Sequence, residues 1–185
     1  MLQMWRKRDL TRCLVVFILA IAVTAPTLAE DPVTASIETN LETDAGQIRQ
    51  FAFDGDDKTY FAAKSNPGSG DHFTLVFDKP VAAKSVGVKT GRADGSDRLD
   101  AGRLEISEDG KTFELLARFA EGIARGEPKS ASIRALRIQP EADVAHPLVI
   151  GEISIGSEPA VARFKYPIEF TVDVSDAPEM HDWAN

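Results

Sequence analysis

Beyond Ala29, nearly every apolar run in this 185-residue chain repeats every second residue, and Gly, Asp, Asn or Pro interrupts it at short intervals. Strand side chains alternate between the two faces of a sheet, so this period specifies half-buried β-strands and leaves no room for a helical or α/β core. Phe73, Leu75 and Phe77 alternate with His72, Thr74, Val76 and Asp78. Pro80 then marks a turn into a second strand over 83–90, where Val86 and Val88 share a face. Many short strands separated by turn residues predict an all-β sandwich.

The clearest local unit covers 104–115. Asp109-Gly110 is a preferred two-residue hairpin turn. Placed there, it sets Ile106 opposite Phe113 and Leu104 opposite Leu115, with all four on one face. Further on, Ile133 and Ala135 lie on one parity and Leu136 and Ile138 on the other, which predicts a β-bulge near Ala135. The stretch 148–155 starts apolar on both parities, as a strand covered on both faces does. The one early helical stretch is 44–51, about two turns.

The first 29 residues differ in kind. Arg6, Lys7, Arg8 and Arg12 precede an apolar run over 14–23, and Thr27-Leu28-Ala29 offers the small residues of a cleavage site. This is the pattern of a secretory signal peptide. The run falls short of the ~20 apolar residues that span a bilayer. Cys13, the single cysteine, opens that run and does not sit at the cleavage site, so lipid attachment is not expected. A mature chain from Glu30 then has no disulfide and no thiolate metal cluster. The whole sequence has 21 Lys plus Arg against 29 Asp plus Glu; removing the four basic residues and Asp9 leaves 17 against 28, a net charge of −11. Such a surface disfavours nucleic acid and anionic membranes and is compatible with cations. The expected product is secreted, extracellular or periplasmic, and detached from the membrane.

Catalytic motifs are missing. The sequence contains no Gly-x-Ser-x-Gly elbow and no His-Glu-x-x-His helix, and His72, His146 and His181 are far apart. Gly68-Ser69-Gly70 lacks the Lys and helix of a phosphate loop and reads as a loop. The segment 51–61 is more specific: Asp54, Asp56, Asp57 and Thr59 surround Gly55 with the hard oxygen donors that calcium prefers. The same composition also describes a solvated acidic turn.

Asp54-Gly55-Asp56-x-x-Thr59-x-Phe61, then Gly70-Asp71-x-Phe73-Thr74-Leu75, Leu104-Glu105-x-Ser107-x-Asp109-Gly110-Lys111-x-Phe113 and Ile150-x-Glu152-Ile153 together resemble the discoidin, or coagulation-factor type C, domains. The resemblance covers about residues 33–155 and is to modules of the kind appended to secreted glycosidases. It implies an antiparallel jelly-roll β-sandwich of the galactose-binding-like class over residues 30–157. It also implies a structural calcium held by Asp54, Asp56, Thr59, the Phe51 carbonyl and Glu152. Glu152 reads equally as an outward-facing strand residue, since it shares parity with Ser154.

In sugar-binding relatives the ligand lies in loops at one end of the sandwich. The matching loops here, 64–72 and 91–100 with the stretch around His146, offer Asn66, His72, Arg92, Asp97 and Arg98 as hydrogen-bonding groups. Trp5 and Trp183 fall outside the sandwich, so no Trp supplies a stacking platform, and Asp97 with Arg98 reads also as a pair that orders its own turn.

The tail, 158–185, shows another strand over 166–174 and a helix start at Asp176 with Glu179. Phe164-Lys165-Tyr166-Pro167, Val172-Asp173-Val174-Ser175-Asp176-Ala177-Pro178 and Trp183-Ala184 resemble the opening of the basic secretory protein family of zinc peptidases, without its zinc helix. The expected function is a secreted, non-catalytic binding or targeting module with calcium and a glycan partner at the cell surface or outside it. A truncated accessory fragment of a zinc peptidase and a cell-envelope domain that binds protein are the other two readings.

Overall fold

The computed structural model describes residues 31–165. The expected signal peptide at 1–29, the strand at 166–174 and the helix start at Asp176 lie outside the described residues. Within them the strands are β1 (Ala35–Thr39), β2 (Phe61–Ala62), β3 (Phe73–Thr90), β4 (Gly102–Ser107), β5 (Glu114–Arg118), β6 (Ile123–Gly126), β7 (Ile133–Pro140) and β8 (Val149–Glu158). All strand pairings are antiparallel. They form one layer in the order β1-β3-β7-β4-β5 and a second in the order β2-β8-β3-β6. The core between them takes Phe73, Leu75, Leu104 and Ile138 from the first and Phe61, Val88, Ile150 and Ile153 from the second, each at most 2% exposed. The Phe61 and Phe73 rings meet at 5.0 Å across it.

The two strands expected on either side of Pro80 are one strand of 18 residues. Its first part pairs with β1 and β7, and from Ala82 onward it pairs with β8 and β6. Pro80 has no N–H to give, and it falls where the ladder to β7 skips from Val76 to Val81. The irregularity expected near Ala135 is this skip, which β3 carries.

The hairpin differs from its expected register by one residue at Ile106, which faces Glu114, and by two at Leu104, beyond a bulge between Leu104 and Glu105. Leu115 lies opposite Glu105 and Ala117 opposite Leu104, and Leu115 is 50% exposed. The cause is Asp109, whose Oδ1 accepts from the N–H groups of Lys111 and Thr112 at 2.7 Å and from the Ser107 hydroxyl at 3.0 Å. These bonds hold a turn wider than two residues, with Gly110 at φ +78. Phe113 then lies on the outer face, where the Arg137 guanidinium stacks 3.5 Å from its ring centroid. The helix expected over 44–51 is only a 3-10 turn at Arg49–Phe53. Gly46 at φ +83 and the extended Ile48 (φ −68, ψ 158) break the earlier residues away from helical geometry.

The hydrogen bonds to Asp109, from the Thr112 and Lys111 amides first, hold its carboxyl well below the usual carboxylate range. A depressed folded-state pKa stabilises the fold above the unfolded value of about 3.9, and that contribution is lost as pH falls through the folded value. Melts between about pH 5 and pH 2 should therefore show acid destabilisation that Asp109→Asn reduces.

Candidate functional site

The segment 91–98 is a loop that closes on itself. Arg92 N–H donates to the Ser96 carbonyl at 2.8 Å, Gly95 N–H to the Arg92 carbonyl at 3.0 Å, and Gly91 N–H ties the loop to Val149 at 2.9 Å. Its centre is Arg98. A Cβ on Gly91, Gly95 or Gly122 would meet Arg98 side-chain atoms at 2.5, 3.1 and 2.8 Å, and all three glycines have positive φ. Arg98 Nε donates to the Gly95 carbonyl at 2.7 Å. Its stem packs in the glycine cradle and braces the loop, and the residue remains exposed.

Arg92 and Asp97 do come together. Asp97, at φ 57, accepts from Arg92 Nε at 2.6 Å. Arg92 donates a second bond, 2.7 Å, to the Tyr60 hydroxyl, with its guanidinium 5.1 Å from that ring's centroid. The bond to Asp97 is the main reason that Arg92 holds its proton more tightly than a free arginine. Phe61 is fully buried in the core, so Tyr60, one position earlier, takes the opposite side. There Asp57, Lys58, Thr59, Tyr60, Lys89 and Glu152 line a groove of about 340 Å³, with Gly91, Ala93 and Gly151 completing it.

Asn66 and His72 stand apart from this groove. The loop 64–72 is pinned by Gly68 N–H to Asp71 at 2.8 Å and by Val144 N–H to the Pro67 carbonyl at 2.9 Å. Glu141 N–H reaches the Ala101 carbonyl at 3.0 Å, so the connection carrying His146 touches both loops and sets them at one end of the sandwich. Among the described residues, no hydrogen bond or ion pair joins Asn66 or His72 to Arg92 or Asp97. His72 borders the outer sheet face. Burial first, and Arg137 second, lower its pKa below the ordinary histidine value.

The acidic turn is closed by protein donors. Asp54 accepts from Asp56 N–H (2.9 Å) and from the Thr59 hydroxyl (2.8 Å), and Asp56 Oδ1 accepts from Lys58 N–H (3.0 Å). Glu152 Oε2 accepts from Gly55 N–H at 3.2 Å, while its Oε1 is ion-paired with Arg163. Burial pushes the Glu152 carboxyl up, and Arg163 opposes that shift. Phe51 opens the turn from the 3-10 helix. Among the described residues, no three His, Cys, Asp or Glu side chains converge as a metal site. As folded, Asp54, Asp56 Oδ1 and Glu152 already accept from N–H and O–H groups of the protein, so a cation in this turn would compete with those donors.

No family model and no curated protein matches the chain. Solved structures do. CBM32-1 from a family 31 glycoside hydrolase of Clostridium perfringens superposes with a TM-score of 0.55 at 16% identity, covering 65% of this chain and 92% of that one. The fold is the discoidin, or galactose-binding-like, β-sandwich. The C-terminal domain of a chitobiase from Bacteroides fragilis shares it, with a TM-score of 0.51 and 18% identity over 66% of this chain and 93% of that one. So do the CBM32-1 and CBM32-2 domains of Clostridium perfringens ZmpB in complex with GalNAc, at 0.54 and 13% over 65% of this chain and 32% of that one.

Tyr60, Lys58, Lys89 and Arg163 are not among the residues that the sequence singles out. Tyr60 follows Thr59 directly in the acidic turn, and its ring was the available signal for a platform. Arg163 had only its place just after the last strand.

The cradle around Arg98 predicts unequal glycine costs. Gly91→Ala combines φ +89 with a Cβ 2.8 Å from the Ser96 carbonyl oxygen, whereas Gly110 at φ +78 has nothing within 4 Å. Urea denaturation should show about 1–2 kcal/mol lost for Gly110→Ala, the left-handed penalty alone. Gly91→Ala should lose about 1–3 kcal/mol beyond that, from overpacking.

Proposed function

We propose that this chain is an exported, non-catalytic carbohydrate-binding module, and that the groove beside Tyr60 receives the sugar. The observation that carries this reading is the Tyr60–Arg92–Asp97 chain at the groove's edge, a fixed aromatic ring held by a half-buried ion pair. Hydrogen bonds to sugar hydroxyls replace bonds to water and gain little alone, so a site of polar groups needs an apolar surface beside them. Tyr60 supplies that surface without any Trp. Lys58, Lys89 and Thr59 supply donors around it, and Arg92 with Asp97 act behind it as positioning residues. The fold adds support, since the ZmpB modules of the same fold were solved in complex with GalNAc.

Titration calorimetry of the mature chain with galactose, N-acetylgalactosamine and cell-wall glycans tests the reading. Tyr60→Ala should weaken binding tenfold or more, about 1.4 kcal/mol. Arg98→Ala, measured at a temperature where the variant is folded, should bind like the wild type. No binding of any glycan by the wild type would favour a protein-interaction domain instead.

Export rests on the basic, apolar and small-residue succession of residues 1–29. Mass spectrometry of the extracellular or periplasmic product should find Glu30 as the N-terminus; intact Met1 in the cytosol would contradict it.

A further inference from the structure

Glu152 is a carboxylate set into β8 with its side chain only 20% exposed. A charge removed that far from water needs a counter-charge and a full set of hydrogen bonds. The chain provides the counter-charge and one donor for each carboxylate oxygen, Gly55 N–H on Oε2 and Arg163 on Oε1. Beyond β8, Val161 bridges to Val33, Ala162 N–H donates to the Val33 carbonyl at 2.8 Å, and Phe164 N–H donates to the Phe53 carbonyl at 3.0 Å. The Phe164 ring meets Phe53 edge-on at 6.1 Å. Arg163 lies between these anchors, which fix its direction. Its guanidinium is ion-paired with Glu152 Oε1, sits 3.4 Å from the Ile153 carbonyl oxygen and lies 5.0 Å from the Phe53 ring centroid.

We propose that Arg163 is the built-in counter-cation of this acidic end, delivered by the strap 161–164, and that it gives Glu152 the positive charge which the family resemblance assigns to calcium. The fold then forms and persists without the metal. Gly55 shows how closely the pair is fitted: a Cβ there would stand 2.9 Å from Arg163 Cδ, in the space its stem occupies. Guanidinium suits the place better than ammonium would, being planar, weakly hydrated and able to lie on an aromatic ring while it pairs. Calcium requires six to eight oxygens. Here it would have to displace Arg163 from Glu152 and compete with the Asp56 amide and the Thr59 hydroxyl for Asp54.

Thermal unfolding of the mature chain in EDTA and in excess calcium tests this first without any variant. The expected result is the same midpoint in both, and a midpoint that falls in EDTA or rises with calcium overturns the proposal. Arg163→Met, which keeps the stem and removes the charge, should lower the midpoint by about 4 °C or more. Arg163→Lys should recover part of that loss. Adding Glu152→Gln to Arg163→Met should cost less than the two single losses together, because the charge that Arg163 answers is then gone. Equal midpoints for wild type and Arg163→Met, or strictly additive losses, also overturn it. Calcium raising the midpoint of Arg163→Met alone supports it, since the vacated carboxylate would then take the ion.

Discussion

One strand serves both layers of this sandwich. β3 is hydrogen-bonded to β1 and β7 along its first part and to β8 and β6 along its second, so the two sheets share a continuous backbone. Its inward side chains, Phe73, Leu75 and Phe77 and then Val86 and Val88, enter the same core from opposite sides. The crossing at Asp78 to Pro80 is possible because the ladder to β7 is interrupted there, which leaves proline's missing donor without consequence. Both loops that carry candidate ligand-binding residues hang on the ends of β3. The 91–98 loop leaves its last residue, and the 64–72 loop leads into its first.

Within those loops, polar groups divide by where their hydrogen bonds go. Arg98 looks like a ligand-binding residue in sequence; its stem packs against three positive-φ glycines and its Nε is bound to Gly95, while the residue stays exposed. Arg92 spends two of its donors on Asp97 and Tyr60. A guanidinium has five N–H donors, so Arg92 keeps three others while it anchors the ring. The fixed ring is the more consequential product, because rigid aromatic surface costs little conformational entropy to present.

The strands were legible where a single face is buried. Alternation along 73–77 and the apolar start of 148–155 both follow from burial, and the sandwich places them as the pattern requires. The hairpin register was not legible, because it depends on Asp109 collecting three donors and on Arg137 capturing Phe113 from a strand more than twenty residues away. The early helix failed on one glycine, Gly46, whose left-handed φ no periodicity reveals. At the groove, Asp97 was paired in sequence with its neighbour Arg98, whereas the fold pairs it with Arg92 and turns Arg98 to the Gly95 carbonyl. Tyr60 was hidden because its significance comes from Arg92, which the fold alone brings to it. Arg163 was hidden for the same reason, through Glu152 and Gly55.

The charges follow a related division. In a chain with more acidic than basic residues, arginines are placed where carboxylates lose water: Arg92 on Asp97, Arg103 on Glu105, Arg118 on Glu141 and Arg163 on Glu152. The paired lysines, Lys64 with Glu42 and Lys84 with Glu158, lie between side chains that are all more than 60% exposed. Exposed pairs of that kind contribute little, whereas a half-buried carboxylate without its partner is costly. Guanidinium is the less strongly hydrated cation and gives up less water to serve inside. The ion-paired arginines thus brace carboxylates, while the ion-paired lysines stay at the surface. Lys58 and Lys89 have no ion-pair partner among the described residues, and both line the groove beside Tyr60. The groove beside Tyr60 is therefore lined by these two lysines and the Asp57 carboxylate, with Arg92 behind the ring and bonded to its hydroxyl.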